Sequence, residues 1–212
     1  MNWISKLERK YGRFCIPNLI SILVGGQILV YAIELFVNQY IGLFLGLSRG
    51  ALLGGQLWRL ITFVFLPFNG GGPLSVILGI YFTWFIGSAL EQEWGDFRFN
   101  LYILLGMAGA VLACLATGWA DTYCLSLSLL LAFAMLYPDM QVLLFFVIPV
   151  RVKYFGLFAA AMWVFSFLTV GWPGKLNYLL CMLGFAVFFG PSAWRSLRAW
   201  VRREQWKRRN RR

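Results

Sequence analysis

The feature that most constrains the fold of this chain is a series of apolar runs, each about as long as a lipid bilayer is thick. A helix needs roughly 20 predominantly apolar residues to cross the hydrocarbon core of a membrane. The runs occupy residues 16–38, 73–92, 97–117, 122–138, 153–171 and 175–193. Only 13% of the residues are charged, whereas a soluble domain is about 25% charged. The pattern predicts an all-α, polytopic membrane protein with six transmembrane helices.

The basic residues lie almost entirely on one side of the six predicted spans. If both termini are cytoplasmic, every lysine and arginine faces the cytoplasm except Arg49, Arg59 and Lys175. The positive-inside rule therefore predicts cytoplasmic termini. No small-residue cleavage site follows the N-terminal charges, so we expect a retained first helix. Because no folded domain is evident outside the membrane, a bacterial cytoplasmic membrane is the favoured location.

The chain is expected to form one membrane domain, residues 1–193, followed by a basic tail, residues 194–212. The tail alternates aromatic and cationic residues, which is typical of a helix resting on anionic lipid headgroups. The net charge of +11 resides mainly at the two ends, so lipid and not nucleic acid is the expected partner. Residues 39–72 are too apolar for a solvated loop, and they predict short helices half-immersed in the outer leaflet.

The residue types that hydrolytic chemistry requires are missing or misplaced. The chain contains no histidine, which excludes catalysis by a Ser–His or Cys–His pair and a histidine-based zinc site. Asp96, Asp121 and Asp139 lie at three separate span ends, so no two of them share a proton. The four cysteines show no CxxC spacing, and neither a disulfide framework nor a metal site is expected. The sequence thus predicts a protein that is not an enzyme and has no cofactor.

Four segments, taken in order, carry a family pattern. They are residues 55–67 (GQLWRLITFVFLP), 87–102 (GSALEQEWGDFRFNLY), 132–139 (AFAMLYPD) and 145–153 (FFVIPVRVK). Their order and spacing resemble the rhomboid superfamily, in which a first loop with Trp-Arg precedes a second span that ends in Glu, Gly and an Arg-Phe pair. The later two segments are similar to the family's fourth span and its link to the fifth. The similarity covers most of residues 14–190 and implies the six-span rhomboid-like bundle.

The resemblance also implies that the catalytic positions of the family are substituted. Matching the family's proline to Pro138 places its serine at Tyr123, and matching its glycine to Gly184 places its histidine at Cys181. The family's sixth span packs on its fourth through Gly-x-x-x-Gly, whose second position is Phe188 here. Such a chain resembles derlins and other inactive rhomboids. It would bind transmembrane helices of client proteins through a lateral gate, as an adaptor in quality control, trafficking or degradation.

Several further residues receive a client-binding or structural role from the resemblance. They are Trp58, Arg59, Glu91, Gly95, Arg98, Phe99, Gly184 and, among the small residues of the fifth span, Ala160. For the Trp58-Arg59 pair, an anchor at the membrane interface and a contact with clients both stay open. Glu91 is expected to tie loop backbone to the second span, and Glu93 or Asp96 to pair with Arg98.

A run of glycines precedes the second span. Gly70, Gly71 and Gly72 rotate almost freely, which predicts a hinge beside the lateral opening between the second and fifth spans. The short fourth span and the immersed loop would thin the bilayer locally. Thinning would lower the cost of moving a poorly anchored client helix.

Two other functions stay open. A small-solute transporter or channel is one, although inverted repeats and charges near the midplane, which are typical of transporters, are not evident. The other is a rhomboid-type protease with a non-standard nucleophile such as Ser126, which would need a base from outside the chain.

Overall fold

The computed structural model describes residues 8–10, 12, 15–67, 72–120, 122–144 and 148–190, and for residues 124, 143, 144, 148–150, 173 and 181 it describes the backbone alone. From residue 15 onward the described chain is mostly α-helical. Its helices are α1 (Leu19–Phe36), α2 (Ile41–Leu45), α3 (Arg49–Leu53), α4 (Arg59–Thr62), α5 (Pro73–Trp94), α6 (Asp96–Thr117), α7 (Tyr123–Leu136), α8 (Val152–Thr169), α9 (Trp172–Cys181) and α10 (183–190). The strands are β1 (Leu47–Ser48), β2 (Trp119–Ala120), β3 (Gln141–Leu144) and β4 (Ile148–Arg151).

Four of the described helices, α1, α5, α6 and α8, are long and apolar enough to cross a membrane. They indicate an α-helical membrane protein, as the apolar runs predicted. Helix α7 is also apolar but has only 14 residues, fewer than the roughly 17 that a span requires. The sixth predicted span, residues 175–193, is interrupted between α9 and α10, and residues 191–193 lie outside the described chain.

Glycine and proline set the ends of the long helices. Pro73 begins α5, where its missing N–H removes no helical hydrogen bond. Gly95 separates α5 from α6 with φ of 78°, and Gly118 ends α6 with φ of 101°. Other residues reach such positive φ values only at a cost. These two glycines therefore fix the turns at both ends of α6.

Helix α6 is the most buried of the four long helices. Helices α5, α7 and α9 all pack against it, α9 most extensively. A Cβ atom added to Gly109 of α6 would collide with the carbonyl oxygen of Leu180, and one added to Gly184 would lie 3.1 Å from the carbonyl oxygen of Tyr102. The absence of these side chains lets the two backbones approach closely. The sixth predicted span thus packs on the third.

Helix α8 is the least buried of the four and rests mainly on α7. The antiparallel pair β3 and β4 connects these two helices, in the register from Gln141↔Arg151 to Leu144↔Ile148. Helix α1 packs chiefly on α5.

The connecting segment, residues 37–67, follows α1 and contains the three short helices α2, α3 and α4 and a 3-10 turn at Phe63–Phe65. Short helices were expected here. The pairing of β1 with β2 was not, and it places Leu47 opposite Ala120. The Gln27 side chain donates to the Val64 carbonyl at 3.3 Å, and the Thr122 hydroxyl donates to the Leu66 carbonyl at 3.2 Å. These contacts hold the connecting segment against α1 and the start of α7.

Candidate functional site

An apolar cavity of about 320 Å³ lies between α5, α7 and the start of α8. Its lining consists of Gly79, Phe82, Thr83, Phe85, Ile86, Tyr123, Ser126, Leu127, Leu129, Leu130, Phe133, Val142, Val152 and Phe155. All of these residues are uncharged. The Thr83 hydroxyl donates to the Gly79 carbonyl of its own helix at 2.8 Å. A cavity of this kind excludes water and accepts apolar groups.

The cavity exists because α5 and α8 both pack on α7 but share no extensive contact in the described chain. Phe85 of α5 meets Phe133 of α7 edge-on, with ring centroids 5.8 Å apart. On the other side, the missing Cβ of Gly156 lets α8 approach Ala134 of α7 closely. The space between α5 and α8 therefore lies where the resemblance puts the lateral gate, between the second and fifth predicted spans.

Tyr123, the residue at the expected serine position, stands at the first turn of α7 and lines this cavity. Its half-buried ring also packs against the small cluster of Leu127, Ala159 and Met182. The ring thus fills the junction of α7, α8 and the α9–α10 region. Cys181, at the expected histidine position, ends α9, but its side chain lies outside the described part of the structure.

The two serines of α7 differ in their surroundings. Ser126 lines the cavity. Ser128 is buried, and its hydroxyl donates to the Leu125 carbonyl of the same helix at 2.8 Å. A hydroxyl bonded back to its own helix is satisfied without a partner helix. Of the two, Ser126 is therefore the serine that borders the cavity.

Arg59 is buried, and its guanidinium group is bonded within the connecting segment. Its Nη1 atom donates to the carbonyls of Leu43 and Gly46 at 2.7 and 2.5 Å, and its Nε atom donates to Gln56 Oε1 at 2.7 Å. The fixed fork of donors in guanidinium suits such multiple bonding. Arg59 thus holds the connecting segment together, whereas its neighbour Trp58 is 54% exposed.

Glu91 binds a different part of the backbone from the one expected. Its Oε1 atom accepts a hydrogen bond from the Leu19 N–H at 2.7 Å, at the start of α1 and not in the connecting segment. Close by, Asn100 donates to the Ile16 carbonyl at 2.8 Å. Helix α5 therefore binds the first residue of α1, and α6 binds the chain just before it.

The expected pairing of Arg98 with Glu93 or Asp96 is wrong. The Nη2 atom of Arg98 lies 3.1 Å from Glu8 Oε2, and Glu93 instead accepts a hydrogen bond from the Tyr137 hydroxyl at 2.9 Å. Phe99, which follows Arg98, is fully buried. Phe99 is consequently a core residue of the fold.

The nearest neighbours of Gly184 lie on α6, at Tyr102 and Gly106, and not on the fourth predicted span. Phe188, which replaces the motif's second glycine, is buried. Its ring centroid lies 5.4 Å from that of Trp94 and 5.3 Å from that of Tyr102. The rings of Trp94, Tyr102 and Phe188 thus fill the space between the helices at this position. A second glycine here would instead let the helix backbones approach each other closely.

The remaining predicted residues are spread over the fold. Ala160 is half-buried and does not line the cavity, and its neighbour Ala159 is buried. Gly72 adopts φ of 154°, which suits glycine. Gly70 and Gly71 of the predicted hinge and the tail at residues 194–212 lie outside the described residues.

Sequence reasoning missed the residues that form most of the cavity wall. Phe82 and Phe85 of α5 and Phe155 of α8 are ordinary apolar residues in their runs, and nothing in the local pattern separates them from lipid-facing neighbours. Their contacts depend on how three helices cross. Tyr123, through the resemblance, and Ser126, as a candidate nucleophile, were the two lining residues singled out from the sequence.

No model of a known protein family matches this chain, and a comparison with curated proteins finds no match either.

Proposed function

We propose that this chain is a rhomboid-like, six-span membrane protein without proteolytic activity, and that it binds transmembrane helices of client proteins at the cavity between α5 and α8. The observation that carries the proposal is an uncharged, apolar cavity at a seam between two helices that share no extensive contact. A helix that diffuses in the bilayer can place side chains there without passing through water. Association of helices in lipid is driven by van der Waals packing between side chains, and the cavity offers apolar side chains for such packing.

The chemistry of the cavity supports binding and not cleavage. The whole chain contains no histidine, so neither the Ser126 hydroxyl nor the Tyr123 hydroxyl has an imidazole base. Without a positioned base or a lowered pKa, a hydroxyl is a weak nucleophile. Cytoplasmic termini, a bacterial cytoplasmic membrane and an adaptor role in quality control, trafficking or degradation belong to the same proposal.

The length of α7 supports a mechanism for handling clients. Its 14 residues span about 21 Å at 1.5 Å per residue, whereas the hydrocarbon core is about 30 Å thick. A bilayer that adapts to such a helix thins beside it. The free-energy cost of placing a client helix with a polar residue beside α7 is then lower, because the polar group lies closer to water.

Photo-crosslinking tests this proposal. Benzoylphenylalanine at Phe155, in the cavity wall, should capture intact single-span proteins in membranes. The same group at Leu157, which is exposed on the same helix but does not line the cavity, is the matched control and should capture little. Equal capture at both positions would remove the cavity from the proposal. Cleaved fragments that disappear in Ser126→Ala would show that the chain is a protease.

A further inference from the structure

A second and larger cavity, of about 590 Å³, lies between α1, the connecting segment and the first half of α6. It shares no lining residue with the first cavity. Ile22 of α1, Ile61 of the connecting segment and Leu104 of α6 line it and are 51%, 63% and 59% exposed. The cavity is therefore a groove, here called the α1–α6 groove, that opens at the molecular surface.

The polar groups in the wall of the α1–α6 groove are already satisfied. Asn100 Nδ2 donates to the carbonyls of Ile16 and Asp96 at 2.8 and 2.7 Å, and its Oδ1 accepts from the Ile16 N–H at 3.3 Å. The Cys15 thiol donates to the Gly12 carbonyl at 3.0 Å. The rest of the lining is apolar. Ordered water needs two to four polar partners, so the wall favours a hydrocarbon occupant.

The surroundings of the groove point to the source of that hydrocarbon. Both helices that flank its opening, α1 and α6, are long and apolar enough to cross a membrane. When two such helices span a bilayer, an opening between them faces acyl chains and not water. The 3-10 turn closes the far end with Val64 and Phe65, which limits how deeply a chain can enter.

One end of the α1–α6 groove carries an excess of positive charge. Cys15 and Ile16 line this end. Among the residues before Cys15, the structure describes two cations, Arg9 and Lys10, and one carboxylate, Glu8. The Glu8 carboxylate is bound by Arg98 at 3.1 Å. Arg9 and Lys10 are exposed. Cations beside an apolar groove complement a lipid with a negatively charged headgroup.

We infer that the α1–α6 groove binds an anionic phospholipid, with one acyl chain between α1 and α6 and the headgroup beside Arg9 and Lys10. This site is independent of the client cavity and of the proposed function. The bilayer supplies the ligand, and the cations select among its lipids.

The test uses the full chain in nanodiscs of phosphatidylcholine and phosphatidylglycerol, in which one lipid at a time carries a photoreactive acyl chain. Mass spectrometry of the crosslinked peptides should locate phosphatidylglycerol at residues 16–23 and 101–107, in excess over phosphatidylcholine. Leu104→Trp fills the groove and should abolish this crosslink. Leu112→Trp is the matched control, because Leu112 is exposed on the same helix outside the groove. Ile22→Trp fills the groove from the opposite wall if Leu104→Trp does not fold.

The charge requirement has its own variant. Arg9→Gln with Lys10→Gln should reduce the preference for phosphatidylglycerol by about fivefold per cation removed. An unchanged preference would overturn the assignment of the headgroup. Crosslinks spread evenly over all exposed helices, or unaffected by both Leu104→Trp and Ile22→Trp, would show bulk lipid only and overturn the site.

Discussion

Glu91 Oε1 accepts a 2.7 Å hydrogen bond from the backbone N–H of Leu19, so a side chain of α5 caps the first turn of α1. The first N–H groups of a helix have no partner within the helix. Asn18, which precedes α1, makes no side-chain capping bond. The bond therefore joins α5 to α1 and gives the buried Leu19 N–H an acceptor that it would otherwise lack.

Replacing Glu91 should destabilise the fold through this cap. Glu91→Ala leaves the Leu19 N–H without an acceptor, which costs about 1–3 kcal/mol. Glu91→Gln keeps an acceptor oxygen and should cost less. The free energy of unfolding in mixed micelles measures both. Gln92→Ala, which truncates an exposed side chain on the same helix, should change it by less than about 0.5 kcal/mol, and an equal loss in all three variants would contradict the capping role.

Arg59→Ala should loosen the connecting segment. The variant leaves the carbonyls of Leu43 and Gly46 without their donor, at about 1–3 kcal/mol for each one that stays buried. Hydrogen exchange should accelerate in α2 and α3 while α6 stays protected. Arg49→Ala serves as the control, because Arg49 is exposed and its backbone N–H keeps its bond to Gly118. Unchanged exchange in Arg59→Ala would mean that the segment holds without the guanidinium.

Gly109→Ala should separate α6 from α9. A methyl group there collides with the Leu180 carbonyl, and overpacking of a rigid contact costs about 1–3 kcal/mol. Gly25→Ala in α1 is the matched control, since its added methyl group meets no neighbour within 4 Å. This control should be neutral or gain up to about 1 kcal/mol from helix propensity. Thermal unfolding distinguishes the two, and equal midpoints would refute the close approach.

Phe99→Ala should lower the stability of the whole bundle by about 3–5 kcal/mol, because the ring is fully buried. Client capture, measured per folded molecule, should be unchanged at permissive temperature. A loss of capture without a loss of stability would return Phe99 to the client-binding residues.

Ser126→Phe should close the client cavity. The added ring occupies part of its roughly 320 Å³ and should strongly reduce crosslinking from position 155. Ser21→Phe makes the same change on α1 at an exposed position and should leave crosslinking intact. Undiminished capture in Ser126→Phe would show that clients bind elsewhere.

The long helices were predictable because their signal is local. Apolar runs of sufficient length define α1, α5, α6 and α8, and Gly95 and Gly118 mark the turns around α6. The partners of Arg59 were not predictable, since the carbonyls of Leu43 and Gly46 become acceptors only after an irregular segment has folded. The bond from Arg98 to Glu8 joins positions 90 residues apart, a separation at which pattern carries no information.

The cavity was predictable only in part. The resemblance marked Tyr123 and the seam between the second and fifth predicted spans. It did not mark Phe82, Phe85 or Phe155, because hydropathy treats a cavity wall and a lipid-facing surface alike. The α1–α6 groove was not predicted at all. Its wall combines residues from three separate segments, and the sequence pattern of each segment does not show that they meet.

The connecting segment also has a consequence for biogenesis. The Leu66 carbonyl of this segment accepts its hydrogen bond from the Thr122 hydroxyl, 56 residues downstream. Likewise, β1 pairs with the later strand β2. A chain made from its N-terminus reaches the membrane with this segment before those partners have left the ribosome. These two contacts therefore form only after α6 is inserted, and a pause in translation before residue 122 would prolong the interval in which insertion factors or proteases can reach the segment.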